Sequence, residues 1–286
     1  MAIITISRGC FSHGQEIAER VAGTLNYECV SQEVVIDEAS QFFHIPDAKL
    51  MASIHDAPTI LEKITHARDK FLSCIQAALL EHVKKDSVVY HGYAGHVLIP
   101  GISHVLKVRV IAEVEDRIAL LQKNRNISRD EAIKFIERED RERADWNHYF
   151  FKADMSDPVL YDMVLHIGIG RLTLRDACEI ICTAARSDTY KATSDSEKAI
   201  HNLAMSSHVQ AGIQEVCEAE VTANDGVVHI HVKAQRLKKT GFASPNLQDQ
   251  VSEKIREDLT KEILQIVKKI PGVKDAICDI DLPYYY

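Results

Sequence analysis

The stretch from Ile3 to Leu25 constrains the chain more than any other. Ile3–Ser7 is a short β-branched run, and Glu16–Leu25 sets Ile17, Ala18, Val21, Ala22 and Leu25 at helical spacing. Between them lies Arg8-Gly9-Cys10-Phe11-Ser12-His13-Gly14-Gln15. A strand that passes through a glycine-bounded loop into a helix gathers backbone N–H groups and the positive end of the helix at one point. Gly9 and Gly14 have the GxxxxG spacing with which such a loop wraps a phosphate. The Lys and the Mg²⁺-holding hydroxyl that would complete the motif are replaced here by Gln15 and Glu16. Spacing alone fits a plain strand-to-helix turn equally well.

Downstream, strand-like and helix-like runs alternate. A helix is expected over Pro58–Lys85, with Ile60, Ile64, Phe71, Ile75 and Leu79 inward and Pro58 in its first turn. Ser87–His91 and Leu106–Ala112 read as strands, and Asp116–Arg125 and Ser128–Phe150 as helices. Ser128 and Glu131 have the spacing of a capping box. Tyr161–Ile169 is the next strand and Leu174–Arg186 a closing helix. The alternation implies an α/β fold, a parallel sheet with helices on both faces.

The pattern changes after residue 186. Residues 187–195 are polar, as a linker would be. Beyond them come a helix at Glu197–Cys217 and strands at Ala219–Ala223 and Val227–Ala234, joined by the hairpin residues Asn224-Asp225-Gly226. A helix carrying Val251, Ile255, Leu259 and Ile263, then Pro271-Gly272 and a strand at Val273–Ile280, complete a small α+β domain. The expected division is 1–186, a linker at 187–195, and 196–286.

Composition narrows the function classes. The chain has 286 residues, 46% apolar and 27% charged, and a net charge of −8, with neither half basic. Such a balance suits a core-forming chain and argues against a nucleic-acid coat or a basic membrane binder. No apolar run approaches the ~20 residues of a membrane span. Seven cysteines without a CxxC pair fit reduced thiols and a cytoplasmic setting. His229-x-His231 sets two imidazoles on one strand face, but no third ligand stands at telling spacing, so no metal site is assigned. Tyr284-Tyr285-Tyr286 is a candidate contact for a partner or a second copy of the chain.

The segment Ile6-Ser-Arg-Gly-Cys-Phe-Ser-His-Gly-Gln-Glu-Ile-Ala18 resembles the opening of the cytidylate-kinase-like family. The similarity continues through Tyr27–Val35 and Val88–Gly92. It is strongest over Arg117–Asp162, with Glu137-Arg-Glu-Asp-Arg-Glu-Arg143, Tyr149-Phe150, Asp157-Pro158 and Tyr161-Asp162. The resemblance implies a P-loop kinase-type sheet, a nucleotide or other small phosphorylated ligand, and ATP with Mg²⁺ as cofactors. It implies transfer of a phosphoryl group to CMP, dCMP or a related acceptor. Gly9, Ser12, His13, Gly14, Gln15 and Glu16 would then cradle the donor phosphates. Arg138, Arg141 and Arg143 would close over the transferring group, supported by Arg117 and Asp140, because guanidinium forks stabilise charge on its oxygens. Glu137–Arg141 and Glu139–Arg143 are also i,i+4 pairs, so a solvated helix laced with ion pairs explains the same residues.

Some positions depart from the family. Phe11 and His13 stand where it has glycines, His91-Gly92-Tyr93 replaces an Asp-Gly-Arg, and Ser31 replaces an Asp of the substrate site. These departures favour the alternative of a catalytically degenerate regulator, in which the C-terminal module senses a ligand. That module resembles a BON-type domain in element order, in Asp225-Gly226-Val227 and in Pro271-Gly272-Val273.

Overall fold

The computed structural model describes residues 1–46, 50, 67–152, 154–233, 236–237, 245–281 and 284–285. Five strands, β1 (Ile3–Arg8), β2 (Glu28–Ser31), β3 (Val88–His91), β4 (Val105–Ala112) and β5 (Met163–Ile167), form one sheet in the order β2-β3-β1-β4-β5. Every pairing in it is parallel, with Ile4 between Val89 and Leu106 at the centre. Parallel strands need crossovers, and the chain supplies helices α1 (Gly14–Leu25), α2 (Gln32–Phe43), α3 (Ala67–Val83), α4 (Gly95–Leu98), α5 (Val114–Arg125), α6 (Arg129–Phe151) and α7 (Leu174–Ala185).

Helices pack on both sheet faces, and the central strands β1 and β3 are buried almost throughout. Ile3, Val30, Val88, Tyr90 and Val105 form one core with Val35, Ile36, Ile75 and Leu79 of α2 and α3. Ile4, Ile6, Val89, Leu106, Val108 and Val110 form the other with Ile17 and Val21 of α1 and Ile181 of α7. The expected capping box at Ser128 and Glu131 is present. Of the long helix expected from Pro58, the part through His66, with Ile60 and Ile64, lies outside the described residues. Strand β2 and helix α2 have no counterpart in the elements expected from periodicity.

The C-terminal region has α8 (Ser194–Ile213), β6 (Ala219–Asn224), β7 (Val227–Val232), β8 (Arg236–Leu237), α9 (Pro245–Val267), β9 (Asp275–Ile280) and β10 (Tyr284–Tyr285). A second sheet has the order β6-β7-β9, with β6–β7 antiparallel and β7–β9 parallel. Val228, Ile230 and Val232 point to a core completed by Val209 and Ile213 of α8 and Ile263 and Val267 of α9. The alternation leaves His229 and His231 together on the other face of β7. Tyr284 and Tyr285 pair with Arg236 and Leu237 as a two-residue parallel bridge.

Helix α8 starts three residues earlier than its apolar pattern does, because Thr193 and Ser196 cap each other reciprocally. The polar stretch before it contains a 3₁₀ turn at Asp188–Tyr190. Along its length α8 serves two cores. Ile200, Ala204 and Ala211 join the cluster under the large sheet, while Val209 and Ile213 join that of the small one. The Gln214 amide also donates to Cys74 Sγ of α3 at 3.0 Å.

Candidate phosphate-binding cleft

The loop after β1 owes its shape to side chains packed behind it. Phe11 and His13 both adopt left-handed backbone, φ 55° and 59°, a conformation that costs a non-glycine residue about 1 kcal/mol or more. Phe11 recovers part of this by burying its ring against Phe135 of α6, edge to face at 6.0 Å, with the Arg125 guanidinium over it at 5.7 Å. The bulky residue therefore folds away from the loop. Gly14 is needed for a different reason: a Cβ there would lie 2.6 Å from Cβ and Cδ of Arg8. Its absence lets Arg8 lie across the start of α1.

The remaining loop residues are committed to one another. Ser12 is buried, and its hydroxyl donates to the Gly9 carbonyl at 2.9 Å. His13 Nδ1 lies 3.2 Å from Glu16, Arg20 donates to Glu16 at 2.6 Å, and Gln15 donates to Glu19 at 2.9 Å. Gln15 and Glu16, in the positions of the missing Lys and hydroxyl, thus face the flank of their own helix. Behind the loop, Arg117 of α5 donates to the Cys10 carbonyl at 2.8 Å and to both carboxylate oxygens of Asp140 at 2.8 and 2.7 Å. Burial is the largest influence and works against the Arg117 charge, but the hydrogen bonds and charges of Asp140 and Cys10 together outweigh it and its pKa is raised. Arg117 and Asp140 thus tie the loop to α5 and α6.

The three arginines of α6 separate. Arg138 is largely exposed, lies over the Phe135 ring at 5.0 Å, and has Glu139 and Glu142 at 3.7 Å. Arg141 is exposed. Neither lines the cleft. Arg143 does: it donates to the Arg8 carbonyl at 2.7 Å and to the Tyr93 hydroxyl at 3.0 Å. Two residues are roughly 200° apart around a helix, so Arg141 and Arg143 cannot face the same ligand.

The cleft has a volume of about 1000 Å³ at the carboxyl ends of β1, β3 and β4. Its cations are Arg8, Arg109, Arg143 and Lys152, beside the Arg117–Asp140 pair. Burial, and then the charge of Arg143, lower the pKa of Arg8, and its Nε has no hydrogen-bond partner. Arg8 and Arg143 therefore bring two positive charges to one wall of the cleft. Arg8, Tyr93, Arg109 and Lys152 were absent from the sequence-based site. Arg109 carried a signal, since Lys107 and Arg109 alternate with Leu106, Val108 and Val110 and mark a face without an apolar cover.

Other expected positions are settled by the same geometry. Ser31 caps α2, accepting from the Val34 N–H at 3.4 Å. His91, in place of an acid, is buried, and burial followed by the Arg8 charge lowers its pKa. Among the described residues no group of three His, Cys, Asp or Glu could hold a metal ion. His231 faces Asp279 and Asp281 at 3.6 and 3.7 Å. Ser12, Gln15 and Glu16 are engaged by Gly9, by Glu19, and by His13 and Arg20 respectively.

A second recess of about 410 Å³ adjoins the loop through His13. Leu120, Ile167, Leu172 and Leu174 make it apolar, and its rim loop is tied by Ile169 N–H donating to Asp116 at 3.3 Å.

His96, at the far end of the cleft, is 4% exposed. Burial lowers its pKa to about 4, from an ordinary value of about 6.5. The unfolded chain binds this proton first, so the stability associated with neutral His96 is complete above about pH 6.5 and is lost as pH falls to about 4. The full loss is about 3 kcal/mol. Urea denaturation across that range should show His96→Gln losing less stability with acidification than the natural chain. Equal slopes would refute the assignment.

A parallel α/β sheet with a phosphate-type loop at the end of its first strand defines a kinase-like nucleotide-binding fold. The chain belongs to the Cytidylate kinase-like family, whose sequence profile matches residues 3–169. A crystal structure of an uncharacterized protein from Eubacterium ventriosum is similar, with a TM-score of 0.50 and 16% identity, covering 65% of this chain and 99% of that one. Shikimate kinase from Bacteroides thetaiotaomicron aligns with a TM-score of 0.40 and 11% identity over 65% and 99% of the two chains. Shikimate kinase from Acinetobacter baumannii, solved with shikimate, gives 0.38 and 13% over 67% and 96%. At these identities the likeness is one of fold. No curated protein matches the sequence. No described helix is long and apolar enough to cross a membrane.

Proposed function

We propose that the chain transfers the γ-phosphoryl group of ATP to a small phosphorylated acceptor, CMP or dCMP being first by family. The observation that supports this is Arg143 of α6 reaching the loop after β1, where it donates to the Arg8 carbonyl and lines one cleft with Arg8 and Arg109. An ionised phosphate oxygen of the acceptor bonds to the γ-phosphorus while the bond to the bridging oxygen of ADP breaks, so no side chain needs to remove a proton. Arg143 stabilises charge on the transferring group, and Tyr93 and the Arg8 carbonyl hold its fork in place. The loop N–H groups from Gly9 to Gly14 hold the donor phosphates, and the apolar recess beside His13 takes the donor base. Mg²⁺, when bound, would supply further neutralisation of the phosphate charge.

The test is single-turnover transfer from γ-labelled ATP with Mg²⁺, using excess protein and a panel of nucleoside monophosphates. Labelled CDP or dCDP is expected. No transfer to any acceptor would refute the assignment.

One observation favours a second function, that of a catalytically degenerate regulator: Gln15 and Glu16 are turned into ion and hydrogen-bond pairs on α1. In that case residues 1–186 bind a nucleotide without turning it over, and a BON-like unit at 196–286 senses a ligand. The shared helix α8 would couple the two. Nucleotide binding without transfer would select this function.

A further inference from the structure

Arg109 of β4 lines the cleft, is half-buried, and has no carboxylate within ion-pair distance among the described residues. The carboxylates that share the cleft are spent or face water. Asp140 takes the bonds of Arg117, Asp154 accepts from the Ser156 N–H and hydroxyl at 2.8 and 2.7 Å, and Asp145 is exposed. Arg109 is held by an aromatic face instead, with its guanidinium carbon 5.6 Å from the centre of the Tyr161 ring. That ring is fixed in turn. The Tyr161 hydroxyl donates to the Met155 carbonyl at 3.0 Å and lies 3.3 Å from Ser7 Oγ. A ring face attracts the charge without occupying the fork of N–H donors that a carboxylate would fill. Ser7 and Arg109 are in register across β1 and β4, so both side chains leave the sheet on one side, and both line the cleft. Burial, and after it the charges of Lys107 and Arg109, lower the pKa of His96, so the positive charge of β4 acts within this wall. A cation taken partly out of water without a counter-charge is costly, and a bound anion removes that cost.

We propose that Arg109 is a specificity-determining residue that seats an oxyanion of the acceptor, a phosphate or a carboxylate, on the sheet wall of the cleft, while Arg143 acts at the transferring group. The assignment rests on the phosphotransfer role proposed above. The planar fork bonds two oxygens of one oxyanion at once. A neutral acceptor of the same size leaves the fork unpaired and is rejected for that reason.

The experiment is calorimetric titration of the full chain with ribose 5-phosphate, gluconate and ribose, with a non-hydrolysable ATP analogue present to fill the loop. Ribose 5-phosphate should bind roughly 10–100-fold more tightly than ribose, and Arg109→Gln should abolish most of that difference while leaving affinity for the ATP analogue unchanged. Arg109→Lys, which keeps the charge but not the fork, should retain part of it. Arg141→Gln removes the same charge outside the cleft and should retain all of it. Circular dichroism checks that each variant folds. Tighter binding of gluconate than of ribose 5-phosphate, with the same dependence on Arg109, supports the subsite and assigns it to a carboxylate. Equal affinity for ribose 5-phosphate, gluconate and ribose overturns the proposal, as does anion binding unchanged in Arg109→Gln or lost equally in Arg141→Gln. Weaker binding of the ATP analogue to Arg109→Gln overturns it also, because the residue would then serve the donor. Anion binding that depends on Arg109 in a chain without phosphoryl transfer keeps the subsite and refutes the catalytic assignment. Transfer to CMP with the same KM in Arg109→Gln does the reverse.

Discussion

Arg143→Ala should lower single-turnover phosphoryl transfer by about 10³-fold or more, the magnitude associated with a guanidinium that stabilises the transferring group. Arg141→Ala should leave the rate unchanged. The contrast follows from where one helix points two side chains of the same type. Arg143 reaches the Arg8 carbonyl and the Tyr93 hydroxyl, while Arg141 is exposed and does not line the cleft. Arg143→Lys should recover only part of the loss, because an ammonium keeps the charge but not the planar fork that bonds two partners at once. Tyr93→Phe should cost less than Arg143→Ala, since it frees the guanidinium from one tether without removing it. Equal rates in Arg143→Ala and Arg141→Ala would remove α6 from the catalytic assignment.

The second large effect is on stability. Asp140→Ala should destabilise the fold by about 3 kcal/mol, because it leaves the buried Arg117 guanidinium with only Cys10 as a partner. Arg117→Met should cost less. It removes the buried charge altogether, and Asp140, with 43% of its side chain exposed, can then be hydrated. Urea denaturation of both single variants and the double variant gives the coupling directly. A larger loss in Arg117→Met than in Asp140→Ala would mean that the pair is screened by solvent and that packing, not charge, dominates. The same bonds set the back of the loop, so both variants should also weaken phosphate binding.

Much of the fold was legible in the sequence. The β-branched run at Ile3–Ser7, the helical spacing of Ile17, Val21 and Leu25, and the Ser128–Glu131 capping box are local signals, and each marks a real element. Strand β2 and helix α2 escaped because Glu28–Ser31 pairs on one side only and owes its extension to β3, and periodicity cannot report a neighbour's pull. Helix α8 was expected to begin later for a similar reason. Its first turn is polar and is held by the Thr193–Ser196 cap, not by apolar spacing.

The candidate site was legible by kind more than by residue. The glycine-bounded loop and the arginine-rich helix meet at one cleft, which Arg143, Arg117 and Asp140 line. Arg138, Arg141, Gln15 and Glu16 belonged to the same motifs, yet they turn to solvent or to their own helix. Arg8, His96, Arg109 and Asn147 come from β1, α4, β4 and α6. Nothing in the spacing along the chain relates them.

The sequence by itself determined the alternation of strand and helix, the loop after the first strand and the membership of the family, because these depend on interactions within a few residues or on a pattern carried whole along the chain. Only the tertiary structure decided which charged side chains share a cleft, where the bulk of Phe11 goes, and which buried polar atoms are left unpaired. Those outcomes depend on the direction of a side chain relative to elements more than a hundred residues away, as with Arg143 against Arg8 and Arg117 against Cys10. Such directions are set by packing and burial, and they exist only once the sheet has closed.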